Sequence, residues 1–402
     1  MDSVALLGEL CESFPHRGMG SSNERKAAVW IAEKLRAMGY QTEEEPFQTT
    51  IDNLYLMPAQ VFACAAVAAA MSLFTPLAWF ALAVLVYGLA ILVVEVSGYP
   101  FSIGPPYGLA ILVAEISGYL SLFPFPRVPS RNVLTERRAE APRTVFVTAH
   151  YDTQRGSYLF HPRFVDHLQP FFYVCYGGVL LALAGVVLKL SGAQAAVYAL
   201  WPGLGICVFA FAAFVLAEVT GRYTPGANDN GTGVALALWL ASDYAARRGE
   251  YPTDCELRFL FTGCEEAGER GMKAFLQAHR GELDPRRTMF VNLDNLGAGE
   301  LTYLTGEGML FYRKAGPTLL RIARQMEGTR ERKNLLLPTD ALPASTLGFE
   351  AISFLGMGEK GRLGNYHWHT DTFENVDPEF LRFQQGFFRE YLMRAMAAGG
   401  QT

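Results

Sequence analysis

The residues in this chain of 402 amino acids that can bind a metal or move a proton follow short apolar segments. His150 and Asp152 come directly after TVFVTA, and a carboxylate two residues after a histidine can accept the second ring N–H and fix the tautomer for metal binding. Glu265 and Glu266 follow LRFLFTGC. A hydrolytic metal site needs one carboxylate on the metal and another free to take a proton from water. Adjacent glutamates at a strand end can divide these roles.

Three further residues extend this set. Asp229 lies in GANDNGTG before a predicted helix, where it fits a helix cap or turn equally well. Asp294 ends the apolar run TMFVNL, where an Asx turn competes with metal binding. His367 lies in NYHWHTD, and His369 is the alternative ligand. Together these oxygen and imidazole donors suit a two-zinc hydrolytic site.

The surrounding sequence predicts elements that would bring these residues together. Apolar strands are expected at 144–149, 256–262, 288–293 and 351–355, and helices at 23–40, 231–246 and 270–279. Alternating strands and helices indicate an α/β fold with a mainly parallel mixed sheet flanked by helices. In such sheets functional groups collect at the carboxyl ends of the strands.

Two hydrophobic insertions interrupt this catalytic unit. The segments in 169–220 are each about 20 residues long and joined by SGAQ, which predicts a transmembrane helical hairpin. The segment 56–126 predicts another hairpin and, near the repeated YGLAILV motif at 107–119, a short interfacial or re-entrant piece. The predicted catalytic parts are therefore 1–55, 127–168 and 221–402. Because they lie before, between and after the insertions, each insertion must cross the membrane an even number of times, four in total.

Charge and cysteine usage indicate where the chain works. Arginines cluster on the catalytic side of the insertions, whereas the hairpin tips carry only Lys189, so the positive-inside rule places the catalytic domain in the cytosol of a multi-pass protein of the cell membrane. Six cysteines without CxxC spacing, and an N-terminus that does not resemble a secretion signal, agree with a reducing compartment. The net charge of −5, without a basic stripe, argues against nucleic acid as a partner. The lipid bilayer is the expected partner, and the oligomeric state is left open.

The ordered motifs HYD, NDNGTG, EEAGERG, NLDNLG and YHWHTDT resemble those of metallopeptidase family 28, the co-catalytic di-zinc aminopeptidases. The hydrophobic insertions would make this a multi-pass membrane branch. The resemblance implies two Zn(II) ions, with His150 and Asp294 on one and Glu266 and His367 on the other. Asp229 would bridge them, and the Asp229–Asn230 peptide bond would be strained and a candidate for the cis form. The fold would then be zinc aminopeptidase-like.

The resemblance also implies a function and roles for the remaining residues. Glu265 would be the general base and Asp152 would orient His150. The substrate would be a peptide with a free N-terminus, from which an aminopeptidase removes the first residue. Two alternatives stay open: a zinc acyltransferase like the glutaminyl cyclases, and a non-catalytic membrane binding protein on the same fold. A transporter fits poorly, because the predicted crossings are few and lack a mid-membrane charge pair.

Overall fold

A single mixed sheet organises the catalytic part of the molecule. This computed structural model describes residues 2–50, 55–74, 77–95, 127–137, 141–309, 311–358 and 361–398. The strands are β1 (Thr42–Thr50), β2 (Arg127–Thr135), β3 (Arg143–His150), β4 (Arg155–Gly156), β5 (Arg222–Tyr223), β6 (Cys255–Thr262), β7 (Thr288–Leu293), β8 (Glu300–Glu307), β9 (Arg313–Lys314), β10 (Arg330–Asn334) and β11 (Glu350–Met357).

Four parallel strands form the centre of this sheet, in the order β6-β3-β7-β11. They correspond to the four apolar runs, so the predicted parallel core is confirmed. Every residue of β6 and β7 is buried, as is expected of strands covered on both faces. The edges are antiparallel or polar: β1 pairs with β2 and β2 with β6 on one side, and β8 joins β11 to β9 and β10 on the other.

Helices cover both faces of the sheet. The described helices are α1 (Ser3–Ser13), α2 (Ser22–Ala37), α3 (Leu56–Ser72), α4 (Ala78–Glu95), α5 (Leu168–Leu190), α6 (Ala196–Thr220), α7 (Gly233–Ala246), α8 (Arg270–Ala278), α9 (Pro317–Arg324), α10 (Ala341–Thr346) and α11 (Pro378–Ala398). The core with α1, α2, α7, α9 and α11 includes Val145 and Val147. The core with α8 and α10 takes Phe146 from the same strand, because successive side chains point to opposite faces.

The insertions form a separate apolar bundle of α3, α4, α5 and α6. Two of these helices are long and apolar enough to cross a membrane, Val165–Leu190 and Ala196–Thr220, whereas α3 and the described apolar part of α4 are shorter. The helices α5 and α6 approach closely at Gly203, where an added Cβ would lie 2.5 Å from the backbone nitrogen of Ala182. Their outer faces expose large apolar side chains, including Leu180, Trp201 and Phe209. The second copy of the repeat and its predicted re-entrant piece lie outside the described residues.

The second insertion leaves and rejoins the catalytic part at one place. Its two ends are β4 and β5, which pair antiparallel through Arg155 with Tyr223 and Gly156 with Arg222. Arg155 also binds Glu218 near the end of α6 and donates a hydrogen bond to the Gly221 carbonyl at 3.0 Å. The hairpin is thus fixed to the catalytic part by the pairing of β4 with β5 and by the ion pair between Arg155 and Glu218.

Candidate metal centre

The predicted site residues lie at the carboxyl ends of the central parallel strands. His150 ends β3, Glu265 and Glu266 form the turn after β6, and Asp294 follows β7. Asp229 lies in the turn that leads into α7 and His367 in the loop after β11. This placement follows from topology, because parallel neighbours end at the same edge of the sheet.

Five of these side chains converge on two overlapping groups. In one group donor atoms of His150, Asp229 and Asp294 lie within 4.8 Å of one another, and in the other those of Asp229, Glu266 and His367 do. Asp229 belongs to both, with one oxygen 3.3 Å from His150 Nε2 and the other 3.1 Å from His367 Nε2. A third group combines His150 with Glu265 and Glu266. His369, the alternative ligand, is exposed, and its ring lies 4.7 Å from that of Trp368 in a tilted arrangement.

The spacing of these atoms fits tetrahedral zinc. Ligands at about 2.0–2.2 Å from a tetrahedral ion lie roughly 3.4 Å apart. The separations here are 3.5 Å between His150 Nε2 and Asp294 Oδ1 and 3.0 Å between His367 Nε2 and Glu266 Oε2. Asp229 Oδ2, although 3.1 Å from His367 Nε2, and Glu266 Oε1 have no hydrogen-bond partner within the described residues. Metal-ligand atoms that lie close together without hydrogen bonding to one another are expected where they face the same metal ion.

Electrostatics support the same interpretation. Burial alone would lower the pKa of His367, but the neighbouring carboxylates, Glu266 foremost, raise it to about 10. Burial raises the pKa of Glu265 well above its usual range and that of Glu266 to about 7. Burial opposes ionisation of Asp229 as well, yet its contacts with both histidines lower its pKa below the usual range. Concentrated buried carboxylates of this kind are neutralised effectively by a divalent cation.

Asp152 lies beside the candidate metal centre. The sequence predicted its contact with His150 but not its contacts with the backbone. Its Oδ1 lies 3.5 Å from His150 Nδ1, a long contact whose alignment does not meet hydrogen-bond geometry. Its stronger contacts are to the backbone, because its two oxygens accept hydrogen bonds from the N–H groups of Glu265 at 3.0 Å and Glu266 at 3.2 Å. Asp152 therefore ties the loop after β3 to the glutamate turn after β6.

The turn that holds Asp229 is shaped by three features. The Asp229–Asn230 peptide bond is cis, the form that the resemblance pointed to. Gly226 begins the turn with a φ of +67°, and an added Cβ there would lie 2.1 Å from Thr153, so only glycine fits. Asp371 then accepts hydrogen bonds from the N–H groups of Asn228 at 2.6 Å and Asp229 at 3.1 Å.

One structural residue of the site was not predicted. Arg17, between α1 and α2, is fully buried and donates to the carbonyls of Tyr151 at 2.6 Å, Pro225 at 3.2 Å and Gly226 at 2.7 Å. It therefore joins the loop after His150 to the loop before Asp229. An isolated arginine in FPHRG carries no sequence pattern of a site, so spacing could not identify it.

The fold agrees with those of zinc aminopeptidases. BSAP, a zinc aminopeptidase from Bacillus subtilis, aligns with a TM-score of 0.54 over 98% of this chain and 94% of its own, at 14% identity. The glutaminyl cyclase of Porphyromonas gingivalis aligns with a TM-score of 0.51 over 97% and 96%, at 13% identity. At these identities the likeness concerns the fold alone.

One family model and one curated relative match part of the chain. The sequence profile of peptidase family M28 matches residues 214–389, which include Asp229, Glu265, Glu266, Asp294 and His367. Aminopeptidase YwaD of Bacillus subtilis (strain 168) is 25% identical over 166 residues, which are 39% of this chain and only 31% of that relative. The part of the chain from residue 214 to 389 is therefore similar to peptidase family M28.

Proposed function

We propose that the protein is a zinc-dependent exopeptidase, and specifically an aminopeptidase. The observation that carries the proposal is the pair of donor groups that share Asp229. In this proposal His150 and Asp294 hold one zinc ion, Glu266 and His367 hold the other, and Asp229 bridges them. Zinc ions held there would lower the pKa of a bound water and polarise the scissile carbonyl.

Glu265 is the proposed general base. Its carboxylate lines the same cavity as the donor atoms, with Oε2 3.9 Å from His150 Nε2. From this position it would take the proton of the attacking water and return it to the leaving nitrogen. Asp152 fixes the backbone of Glu265, which keeps the base directed into the cavity.

The direct test compares wild type with Glu265→Gln, each purified in detergent and loaded with zinc. Release of N-terminal residues from a mixed peptide pool should be nearly abolished in the variant, while its zinc content stays unchanged. Equal turnover of both proteins would refute the assignment of the base. Glu269→Gln is unsuitable as a control because Glu269 lines the cavity, whereas Glu282→Gln removes an exposed glutamate remote from it.

A cyclase is the second candidate, because the fold of a glutaminyl cyclase matches about as well as that of an aminopeptidase. Metal stoichiometry and products separate the two. Two zinc ions per chain with stepwise loss of N-terminal residues favour the peptidase. One zinc ion, with conversion of N-terminal glutamine to pyroglutamate, would favour the cyclase.

We also propose that the apolar bundle spans the membrane four times, with the catalytic part in the cytosol. Support comes from the two long apolar helices and from the exposed apolar faces described above. The predicted orientation can be tested by cysteine labelling in intact cells. A cysteine at Gln194, at the hairpin tip, should react with an impermeant maleimide, whereas one at exposed Glu327 should not.

A further inference from the structure

The cavity at the metal centre extends into the apolar bundle. One side is formed by the metal-site side chains, and the remainder includes Met57 at the start of α3 and Phe172 and Tyr176 on α5. The space is about 1100 Å³ including its open mouth. The predicted membrane helices are therefore part of the wall of the site.

The α5 contribution follows from helical geometry. Phe172 and Tyr176 are four residues apart and so share one face of the helix. At about 1.5 Å per residue they lie roughly 6 and 12 Å beyond Leu168, where α5 begins. The opposite face of the same turns is exposed at Val174. One face of α5 thus meets the cavity while the other is available to lipid.

This wall is fixed to the catalytic part and not merely adjacent to it. Gln169 donates a hydrogen bond to the Leu335 carbonyl at 3.0 Å, and Tyr173 donates one to the Met309 carbonyl at 3.4 Å. The two anchored segments provide Met309, Leu336 and Leu337, which line the cavity with Phe172. The apolar surface is therefore continuous from the helix to the loops beside β8 and β10.

We propose that this wall is the specificity pocket of the site and that it selects peptides with a bulky apolar N-terminal side chain. The proposal deepens the aminopeptidase assignment and rests on it for the identity of the substrate. Burial of a large apolar side chain against Met57, Phe172, Tyr176 and Leu337 is favourable in proportion to the area removed from water. A charged side chain would lose hydration against these four residues, none of which carries an opposite charge.

The test measures binding and turnover separately on the zinc-loaded full chain in phosphatidylcholine nanodiscs. Binding of phenylalanine and alanine hydroxamates is measured by calorimetry, and hydrolysis with phenylalanine, alanine and lysine p-nitroanilides. Wild type should favour the phenylalanine compounds over the alanine compounds by about 10-fold to 30-fold. Phe172→Ala should remove most of this preference, because it weakens binding and turnover of the phenylalanine compounds more than those of the alanine compounds.

Two further variants keep the test decisive. Phe172→Leu retains an apolar side chain and should lose only part of the preference, so it replaces Phe172→Ala if that protein does not fold. Phe80→Ala removes an exposed phenylalanine from α4 and should change nothing. Equal affinity of wild type for the two hydroxamates, no binding of either, or an unchanged preference in both Phe172 variants would overturn the pocket. Preferential binding without hydrolysis would refute the aminopeptidase but uphold the pocket.

Discussion

Asp152 and Glu265 are joined through the backbone: an oxygen of the Asp152 carboxylate accepts the Glu265 N–H at 3.0 Å. The other oxygen accepts the N–H of Glu266. The residue expected to orient a histidine thus also holds the proposed base and a proposed ligand. A change at Asp152 acts on three functional groups at once.

Asp152→Asn should reduce kcat/KM by about 10-fold to 100-fold. An amide has one acceptor oxygen where the carboxylate has two, so one of the two N–H groups loses its acceptor. Zinc affinity should fall too, because the negative charge facing His150 is lost. Peptide hydrolysis and competition with a zinc indicator dye measure the two effects. Asp254→Asn, at an exposed aspartate, is the control, and wild-type activity in Asp152→Asn would contradict the supporting role.

Asp229→Ala should release both zinc ions, whereas His367→Ala should release only one. The reason is that donor atoms of Asp229 face both histidines, but His367 belongs to one donor group. Metal analysis after dialysis against a weak chelator gives the stoichiometry directly. Asp284→Ala, at a half-exposed residue outside the centre, should keep both ions. Retention of one firmly bound ion by Asp229→Ala would exclude a bridging role.

Arg17→Met should destabilise the protein by on the order of 3 kcal/mol, since three backbone carbonyls lose a hydrogen bond and Gly226 keeps its bond from the Gly231 N–H. Arg17→Lys should recover little of the lost stability, because one ammonium group cannot place its donors at all three carbonyls as the planar guanidinium does. Thermal unfolding followed by circular dichroism measures the effect. Arg25→Met, which removes an exposed hydrogen bond to Gly20, provides the comparison. Similar melting temperatures for the Arg17 and Arg25 variants would show that Arg17 does not join the two loops.

The His279–Glu45 pair should make stability depend on pH. The hydrogen bond that the His279 ring donates to the Glu45 carboxylate is the main cause that raises the pKa of His279 to about 9. The raised value means that folding favours protonated His279, so the stabilisation is complete below about pH 6.5 and disappears as pH rises through 9. After screening by solvent it amounts to about 1 kcal/mol. Melting temperatures of wild type and His279→Gln should differ at pH 6 and coincide near pH 10, and a constant difference would rule out the pair.

The sequence predicted the centre of the sheet better than its edges. β6 and β7 are rich in apolar residues and buried along their whole length, so their composition indicates two buried strands. In contrast β10, with the sequence RERKN, is largely exposed and has no apolar pattern that would indicate a strand. Its pairing with β8 depends on tertiary contacts. Charged edge strands of this kind also discourage pairing with other chains.

The same limit applies to the site. Residues that follow apolar strands could be proposed as ligands because the end of a strand is visible in the sequence. No role for Asp371 was predicted from the sequence, although its carboxylate accepts hydrogen bonds from two backbone N–H groups, those of Asn228 and Asp229. Arg17 was missed because its partners lie more than 130 positions away along the chain. Every residue has a backbone carbonyl, so the residue types in the sequence do not reveal which carbonyls Arg17 contacts.

The paired ends of the second insertion have a consequence for chain entropy. β4 and β5 are separated by 65 intervening residues, yet they lie side by side as in a short turn. The cost of closing such a loop rises only with the logarithm of its length. Closing a segment of this length therefore costs the protein only a little more free energy than closing a short connection would. Lengthening or replacing the loop at the far end of the α5–α6 hairpin should therefore destabilise the protein less than a change in the paired strands β4 and β5.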